Sequence, residues 1–194
     1  MEDKRRKIMK AALGLFVRKG FDAATMGEVA AKAGIAKGTV YLYFKDKIDL
    51  YASLLSERIT LLNQGVAEIA ASDLPPTAKL EAIIRRNLEY IASEYPSSQF
   101  LVDTRAGHDP EVLKVIRTRI SPRLEETIVL IAQVLKEGIA CKEFREMNTF
   151  DVAMQIFSLV NFHLMKRAID KKPINPARET ESVKQLILNG ITRR

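Results

Sequence analysis

Apolar residues recur at three- and four-residue spacing along most of the chain, and turn signals interrupt them at intervals of roughly 12 to 25 residues. This periodicity predicts a series of amphipathic helices and does not favour a strand-rich fold. The first such stripe ends at Gly20, a typical helix C-cap, and consists of Ile8, Ala12, Leu15 and Phe16. We therefore predict an all-α protein that begins with a supporting helix.

Two short helices joined at a glycine are predicted between residues 25 and 47. Thr25 is a good N-cap, and Glu28 can complete a capping box, so a helix should begin at Met26. Gly34 can adopt the positive φ of a tight turn without the steric penalty of a Cβ atom. Short or polar side chains should then lie on the outward face of the second helix: Lys37, Gly38, Thr39, Tyr41 and Tyr43. This layout is typical of a helix-turn-helix that binds DNA.

The net charge of the chain is concentrated in the same region. Residues 1–47 hold 11 Lys or Arg against 5 Asp or Glu, whereas residues 48–194 hold 20 against 19. Neutralisation of phosphates with counterion release is the main source of affinity for nucleic acids. A basic run such as residues 4–7 is more often a solvated surface, but its coincidence with the turn pattern favours double-stranded DNA as the partner.

The composition of the 194 residues is that of an ordinary globular protein, with 47% hydrophobic and 28% charged residues. The N-terminus lacks the apolar run of a signal peptide, and no stretch approaches the ~18 apolar residues of a membrane span, so we expect a cytoplasmic protein without a membrane partner. Cys141, His108 and His163 form no zinc-binding pattern. No phosphate loop or paired nucleophile and base is recognisable, so we expect neither enzymatic activity nor a metal or cofactor.

Helical periodicity continues through the rest of the chain. A long helix from Asp46 to about Ala71 should tie the basic region to the later helices, which are predicted near 77–95, 98–106, 149–169 and 178–192. Residues 110–138 are compatible with one kinked helix or with two nearly collinear ones, ended in either case by Gly138.

The helix predicted at 149–169 is apolar on two faces, so it must be covered on both sides. We expect the last two helices to pair with their copies across a two-fold axis as a four-helix bundle, which makes the protein a homodimer. Packing within one chain is the alternative.

The segment from Ile8 to Leu50 resembles the tetracycline-repressor-like family of bacterial transcriptional regulators. The residues at the family's spacing are Phe16, Gly20, Phe21, Thr25, Ala30, Gly34, Gly38, Tyr41, Tyr43, Phe44, Lys47 and Leu50. The resemblance implies nine or ten helices, with a DNA-binding domain at 1–47 and an effector-binding and dimerisation domain at 48–194. It also implies phosphate contacts by Thr25, Thr39, Tyr41, Tyr43 and Lys47, with Lys37 and Gly38 nearest the base edges. Ala36 departs from the serine that is frequent in the family, so a phosphate contact there is not expected.

Regulation should pass through the long helix, because that helix belongs to both predicted domains. A small, largely apolar effector is expected, with Asn87, Arg105 and Asn161 as candidate polar contacts, although a surface position or a hydrogen-bonded core position is favoured for each of the three. Repression is the usual outcome in the family, and activation needs only a different operator position. The alternative function is a helical interaction module whose basic N-terminal region serves a partner other than DNA.

Overall fold

The computed structural model describes residues 2–93, 109–170 and 175–192, and its elements in these ranges are helical apart from one isolated bridge between Phe144 and Thr192. The helix predicted near 98–106 and Arg105 lie outside the described residues. The α-helices are α1 (Glu2–Lys19), α2 (Met26–Ala33), α3 (Lys37–Tyr43), α4 (Lys47–Ala70), α5 (Pro76–Ser93), α6 (Pro110–Val115), α7 (Ser121–Ala140), α8 (Thr149–Asp170) and α9 (Pro176–Ile191). The all-α prediction is confirmed.

The chain divides into two compact units. The first comprises Met1–Arg58 and Pro96–Pro122, and the second comprises Ile59–Tyr95 and Arg123–Arg194. Helix α4 therefore contributes its first half to one unit and its second half to the other. The first unit also holds residues 48–58 and 109–122, which lie beyond the 1–47 span of the predicted DNA-binding domain.

The core of the first unit is built on the apolar stripe of α1, as predicted. All four residues of the stripe are at most 2% exposed. Gly20 has φ 82° and ends α1, after which the ring of Phe21 lies 5.8 Å from that of Phe16 and 4.9 Å from that of Tyr51 on α4. This aromatic cluster packs the end of α1 against the start of α4.

The second unit is centred on α5, whose buried residues form a broad stripe along one side of the helix. One polar contact joins α5 to α7, and another joins α4 to α7. The ammonium group of Lys79, a residue only 4% exposed, donates to both carboxylate oxygens of Glu137 at 2.9 and 2.8 Å, and the amide of Asn63 donates to the Arg123 carbonyl at 2.8 Å. Buried polar groups need such partners, and these contacts therefore specify how the helices align.

Residues 110–140 form one continuous helical run in which a π-helical turn, Ile116–Ile120, separates α6 from α7. Asp109 caps the run through its carboxylate, which accepts from Glu111 N–H at 2.9 Å, and Pro110 occupies the first helical position. The prediction that Gly138 ends this run was wrong, because α7 continues to Ala140. A Cβ at Gly138 would lie 2.1 Å from the Phe144 ring, so the glycine makes room for a buried aromatic side chain.

Candidate DNA-binding interface

The start of α2 is held by the predicted capping box. Thr25 N–H donates to the Glu28 carboxylate at 3.0 Å, and Glu28 N–H donates to Thr25 Oγ1 at 3.2 Å. A hydrogen bond from Lys19, followed by the two donors of Thr25, holds the pKa of the Glu28 carboxyl below its ordinary value. The Thr25 side chain is exposed, but part of its hydrogen-bonding capacity already serves this cap.

The turn between α2 and α3 has the conformation expected from the sequence. Gly34 lies in the left-handed region at φ 66° and ψ 35° and ends α2. A Cβ at this position would meet no heavy atom within 4 Å, so the need for glycine comes from the backbone conformation and not from lack of space. Ile35 N–H then donates to Ala30 O at 3.0 Å, which closes the turn.

Helix α3 buries one side and exposes the other. Val40 is 0% exposed and faces the unit's core, whereas Lys37, Gly38 and Tyr41 are exposed and Thr39 and Tyr43 are half-buried. Tyr41, one of the phosphate contacts that the family resemblance implies, is 46% exposed. Helix α3 thus brings five of the predicted DNA-contacting residues together on one element.

Lys47 has a structural contact that its sequence position did not predict. Its ammonium group donates to the backbone carbonyls of Phe21 and Asp22 at 2.9 and 3.0 Å and lies 4.4 Å from the centre of the Phe21 ring. An ammonium group has three donors, so one remains for another acceptor such as a phosphate. Lys47 therefore anchors the segment between α1 and α2.

Two features near α3 bear on DNA binding. Ala36 is the N-cap of α3 and makes no side-chain capping hydrogen bond, as the absence of a hydroxyl requires. The Arg5 guanidinium lies 5.4 Å from the centre of the ring of Phe44, the buried residue that follows α3. The basic start of α1 therefore packs near the end of α3, the recognition helix of the helix-turn-helix.

Leu42 was not among the predicted contacts, yet it is 83% exposed and lies on α3. The signal was available in the sequence, because Leu42 is out of phase with Val40 and Phe44, the two residues that bury the inward side of the helix.

An ion pair that the sequence did not predict joins distant parts of the chain within the first unit. Arg119, in the π-helical turn, donates to Asp49 Oδ1 at 2.7 Å, and Asp49 Oδ2 accepts from Lys45 N–H at 3.0 Å. Asp49 N–H in turn donates to the Asp46 carboxylate at 2.8 Å, which confirms Asp46 as the cap of α4. The π-helical turn is therefore connected to the segment between α3 and α4.

The candidate effector contacts differ in their surroundings. Asn87, on α5, is 6% exposed, and its Oδ1 accepts no hydrogen bond from the part of the chain that the structure describes; the same is true of the buried Thr180 hydroxyl on α9. Asn161 is half-buried and donates to Phe157 O of its own helix at 2.8 Å. Asn87 is thus the candidate whose side chain has an unused hydrogen-bond acceptor.

The described residues offer neither a metal site nor a membrane-spanning helix. Within the described ranges, no cluster of three His, Cys, Asp or Glu side chains has a metal-binding arrangement. Nor is any helix there both long enough and apolar enough to cross a lipid bilayer.

Comparison with known proteins agrees with this architecture. Residues 8–54, which contain α2, α3 and most of α1, match the sequence model of the bacterial regulatory proteins of the tetR family. The chain is 25% identical over 195 residues to a fatty acid metabolism regulator protein of Bacillus subtilis, a match that covers 98% of each chain.

Two solved structures resemble the whole fold. The fatty acid degradation regulator FadR of Bacillus halodurans has a TM-score of 0.86 at 22% identity and covers 98% of this chain and 97% of its own. FadR of Bacillus subtilis in complex with stearoyl-CoA has a TM-score of 0.83 at 23% identity, with 96% and 98% covered. The match over residues 8–54 identifies the helix-turn-helix region as that of the tetR family, whose members bind DNA to regulate transcription and are not enzymes, and the two solved structures show that the fold of the whole chain is that of such regulators.

Proposed function

We propose that the protein is a homodimeric repressor in the cytoplasm that binds a palindromic DNA operator and is released by a largely apolar effector. The observation that carries this proposal is the exposed side of α3, within the quarter of the chain that holds nearly all of its net charge. One helix-turn-helix has too little surface for operator-level affinity, whereas two copies can bind half-sites about one helical turn apart or a multiple of that spacing.

In this proposal the DNA contacts divide into two kinds. Lys37 and Gly38 lie nearest the base edges, and Thr39 can contact both a base edge and a phosphate. The remaining phosphate contacts are made by Thr25, Tyr41, Tyr43 and Lys47. Base contacts specify sequence, whereas phosphate contacts set affinity and register. Tyr41 suits the second kind, because its side chain is exposed whereas that of Tyr43 is half-buried.

A salt series on a selected operator tests this division. Duplexes are enriched from a random pool, and the affinities of wild type, Lys37→Ala and Lys136→Ala are measured by fluorescence anisotropy; Lys136 is an exposed lysine of the second unit. Lys37→Ala should relax sequence preference, and Lys136→Ala should leave both preference and salt slope unchanged. Failure to enrich any sequence would refute the function.

Homodimerisation is supported by a groove between α8 and α9. The groove has a volume of about 400 Å³, its lining is mainly apolar, and it includes Val152, Leu159, Leu186 and Gly190. Leu186 is 67% exposed, and a Cβ at Gly190 would meet nothing within 4 Å, so this face leaves room for close approach of another helix. We propose a second copy of the chain as its occupant, which gives the four-helix bundle.

Sedimentation velocity tests the dimer. Leu186→Glu should shift the protein to monomer at micromolar concentration, because it places a charge in the apolar seam. Leu74→Glu changes a leucine that is 45% exposed between α4 and α5 and serves as the matched control. A Leu186→Glu protein that stays dimeric would exclude this face as the interface.

For the effector we propose a long-chain fatty acyl compound. The Bacillus subtilis relatives are a fatty acid metabolism regulator and a protein crystallised with stearoyl-CoA. In this chain, Asn87 and Thr180 supply unpaired polar atoms, and aliphatic residues such as Leu80, Ile84 and Leu88 are buried on the same helix as Asn87. Such a mixture suits a ligand that is mainly apolar with a few polar groups. Arg105 and Asn161 stay proposed contacts.

Release of the operator by stearoyl-CoA, with coenzyme A alone as the control, tests the effector class. Asn87→Leu, which keeps the branched shape of the side chain but removes its hydrogen-bonding groups, should bind the acyl compound more weakly. Gln133→Leu, which makes the same kind of change at an exposed amide side chain on α7, is the comparison. If no acyl compound changes operator affinity, the proposed class is wrong.

The contact of Arg119 with Asp49 supports a route for switching. The helical run that carries Arg119 continues into the second unit as α7, so a ligand-dependent shift of the run would act on Asp49 and on the segment after α3. Arg119→Ala should bind stearoyl-CoA normally but reduce its effect on operator affinity, and Arg119→Lys should retain part of that effect. An unchanged effect in Arg119→Ala would rule this route out.

A further inference from the structure

Leu42 has the largest exposed fraction among the large apolar residues that are exposed in the described ranges, 83%. It lies on α3 two positions after Val40, which is 0% exposed. Two residues along an α-helix are about 200° apart around the axis, so Leu42 points away from the core on the side opposite Val40. The fold therefore leaves most of this side chain uncovered.

Single exposed leucines are common on protein surfaces and usually need no explanation. The position of this one is informative because of its neighbours on α3. Gly38 lies one turn earlier on the same side of the helix, is exposed, and has open space where a Cβ would be. Thr39 lies at the other flank of Leu42. The leucine is thus placed among the residues proposed to lie nearest the base edges.

The chemistry of the DNA major groove restricts what a leucine can contact there. Phosphates and most base edges offer hydrogen-bond donors and acceptors, which an aliphatic side chain cannot use. The C5-methyl group of thymine is the apolar group on the major-groove edge of the base pairs. A side chain such as leucine gains free energy by packing on that methyl group and excluding water from both surfaces.

We propose that Leu42 contacts the C5-methyl group of a thymine in each operator half-site and thereby specifies that base. The inference rests on the proposed operator-binding function and assigns one specificity-determining residue within it. Leu42 would supply apolar contact beside the polar contacts of Lys37 and Thr39.

Replacement of thymine by deoxyuridine tests the proposal, because it removes only the C5-methyl group and preserves base pairing. An operator is first selected from random duplexes with the wild-type protein, and each thymine is then replaced singly and in symmetric pairs. For the wild type, deoxyuridine at one particular position of a half-site should lower affinity about fourfold. The same replacement in both half-sites should lower it about fifteenfold, as expected for one buried methyl group per half-site.

Leu42→Ala should bind the unmodified operator more weakly and should be insensitive to deoxyuridine at that same position. The two changes then fail to add, which identifies the side chain and the methyl group as partners. Leu74→Ala, at an exposed leucine of the second unit, should respond to deoxyuridine as the wild type does. Thermal unfolding of Leu42→Ala should match the wild type, since Leu42 is not in the core.

The other outcomes distinguish failure of the Leu42 contact from failure of operator binding. If a sequence is enriched but no thymine methyl group affects affinity, or if Leu42→Ala keeps the wild-type response, the role of Leu42 is refuted and operator binding stands. Enrichment of no sequence at all would overturn both the operator-binding function and the role of Leu42.

Discussion

Replacing Gly38 with alanine should stabilise the protein and weaken its binding to DNA. Gly38 is the second residue of α3, it is exposed, and a Cβ built there would meet no heavy atom within 4 Å. Its φ is not positive, unlike those of Gly20 and Gly34. The fold therefore has no need of glycine at this position, and its presence is explained if another molecule must come close to the backbone.

The stability gain originates in the unfolded chain. Alanine has fewer accessible backbone conformations than glycine, and in a helical site without strain the replacement contributes about 0.4–1 kcal/mol. For a protein of this size that corresponds to an increase in Tm of roughly 1–4 °C. Gly27→Ala calibrates this gain, because Gly27 is the second residue of α2 and a Cβ there would have only one ordinary contact, 3.9 Å from Thr25 Oγ1.

The loss of DNA affinity comes from the same methyl group. If the base edges approach Gly38 closely, an added Cβ overpacks each half-site at a cost of about 1–3 kcal/mol, which weakens binding roughly 5- to 150-fold per half-site. Thermal unfolding by circular dichroism and anisotropy on the selected operator measure the two effects. Wild-type affinity in Gly38→Ala would refute close approach, and a lower Tm would show that the fold requires the glycine after all.

Three further outcomes are expected. The lowered pKa of Glu28 means that its contribution to stability is present above the ordinary value of 4.5 and is lost as the pH falls through the lower folded value, so the urea midpoints of wild type and Glu28→Gln should differ at pH 7 and converge in acid. A constant difference would contradict this. Gly138→Ala should lower the free energy of unfolding by about 1–3 kcal/mol because its Cβ overpacks against Phe144, and the additional change Phe144→Leu should recover part of this loss. Additive effects of the two changes in a double-mutant cycle, measured by urea unfolding, would contradict the contact. Lys47→Ala should reduce both the Tm and the salt dependence of DNA binding, because it removes two hydrogen bonds to backbone carbonyls together with a proposed phosphate contact, and a change in sequence preference without a change in salt slope would show that its role is different.

The helix-turn-helix could be predicted because its signals are local. The reciprocal bonds of Thr25 and Glu28 are three residues apart, and the left-handed conformation of Gly34 depends on its own lack of a side chain. The outward face of α3 followed from helical periodicity in the same way, and the same periodicity places Leu42 on that face, although Leu42 lacks the polar group or small size by which the other candidates were chosen.

The effector contacts were less accessible to sequence reasoning. Asparagine occurs in helix caps and on surfaces more often than in cores, and only the packing of α5 left Asn87 buried with an unused acceptor among the described residues. The amide of Asn161, which looked equivalent in the sequence, is instead used within its own helix.

The sequence by itself determined that the chain is helical, where its recognition helix begins, and where its charge lies, because caps, turns and periodicity act over a few residues. Only the tertiary structure decided what depends on residues far apart in the chain. It joined Arg119 to Asp49 across 70 positions, and it used Lys47 to hold two backbone carbonyls of the segment between α1 and α2. It also turned Gly138 from an expected helix end into space for Phe144. Side-chain partners and steric fit arise from packing, which local propensities do not encode.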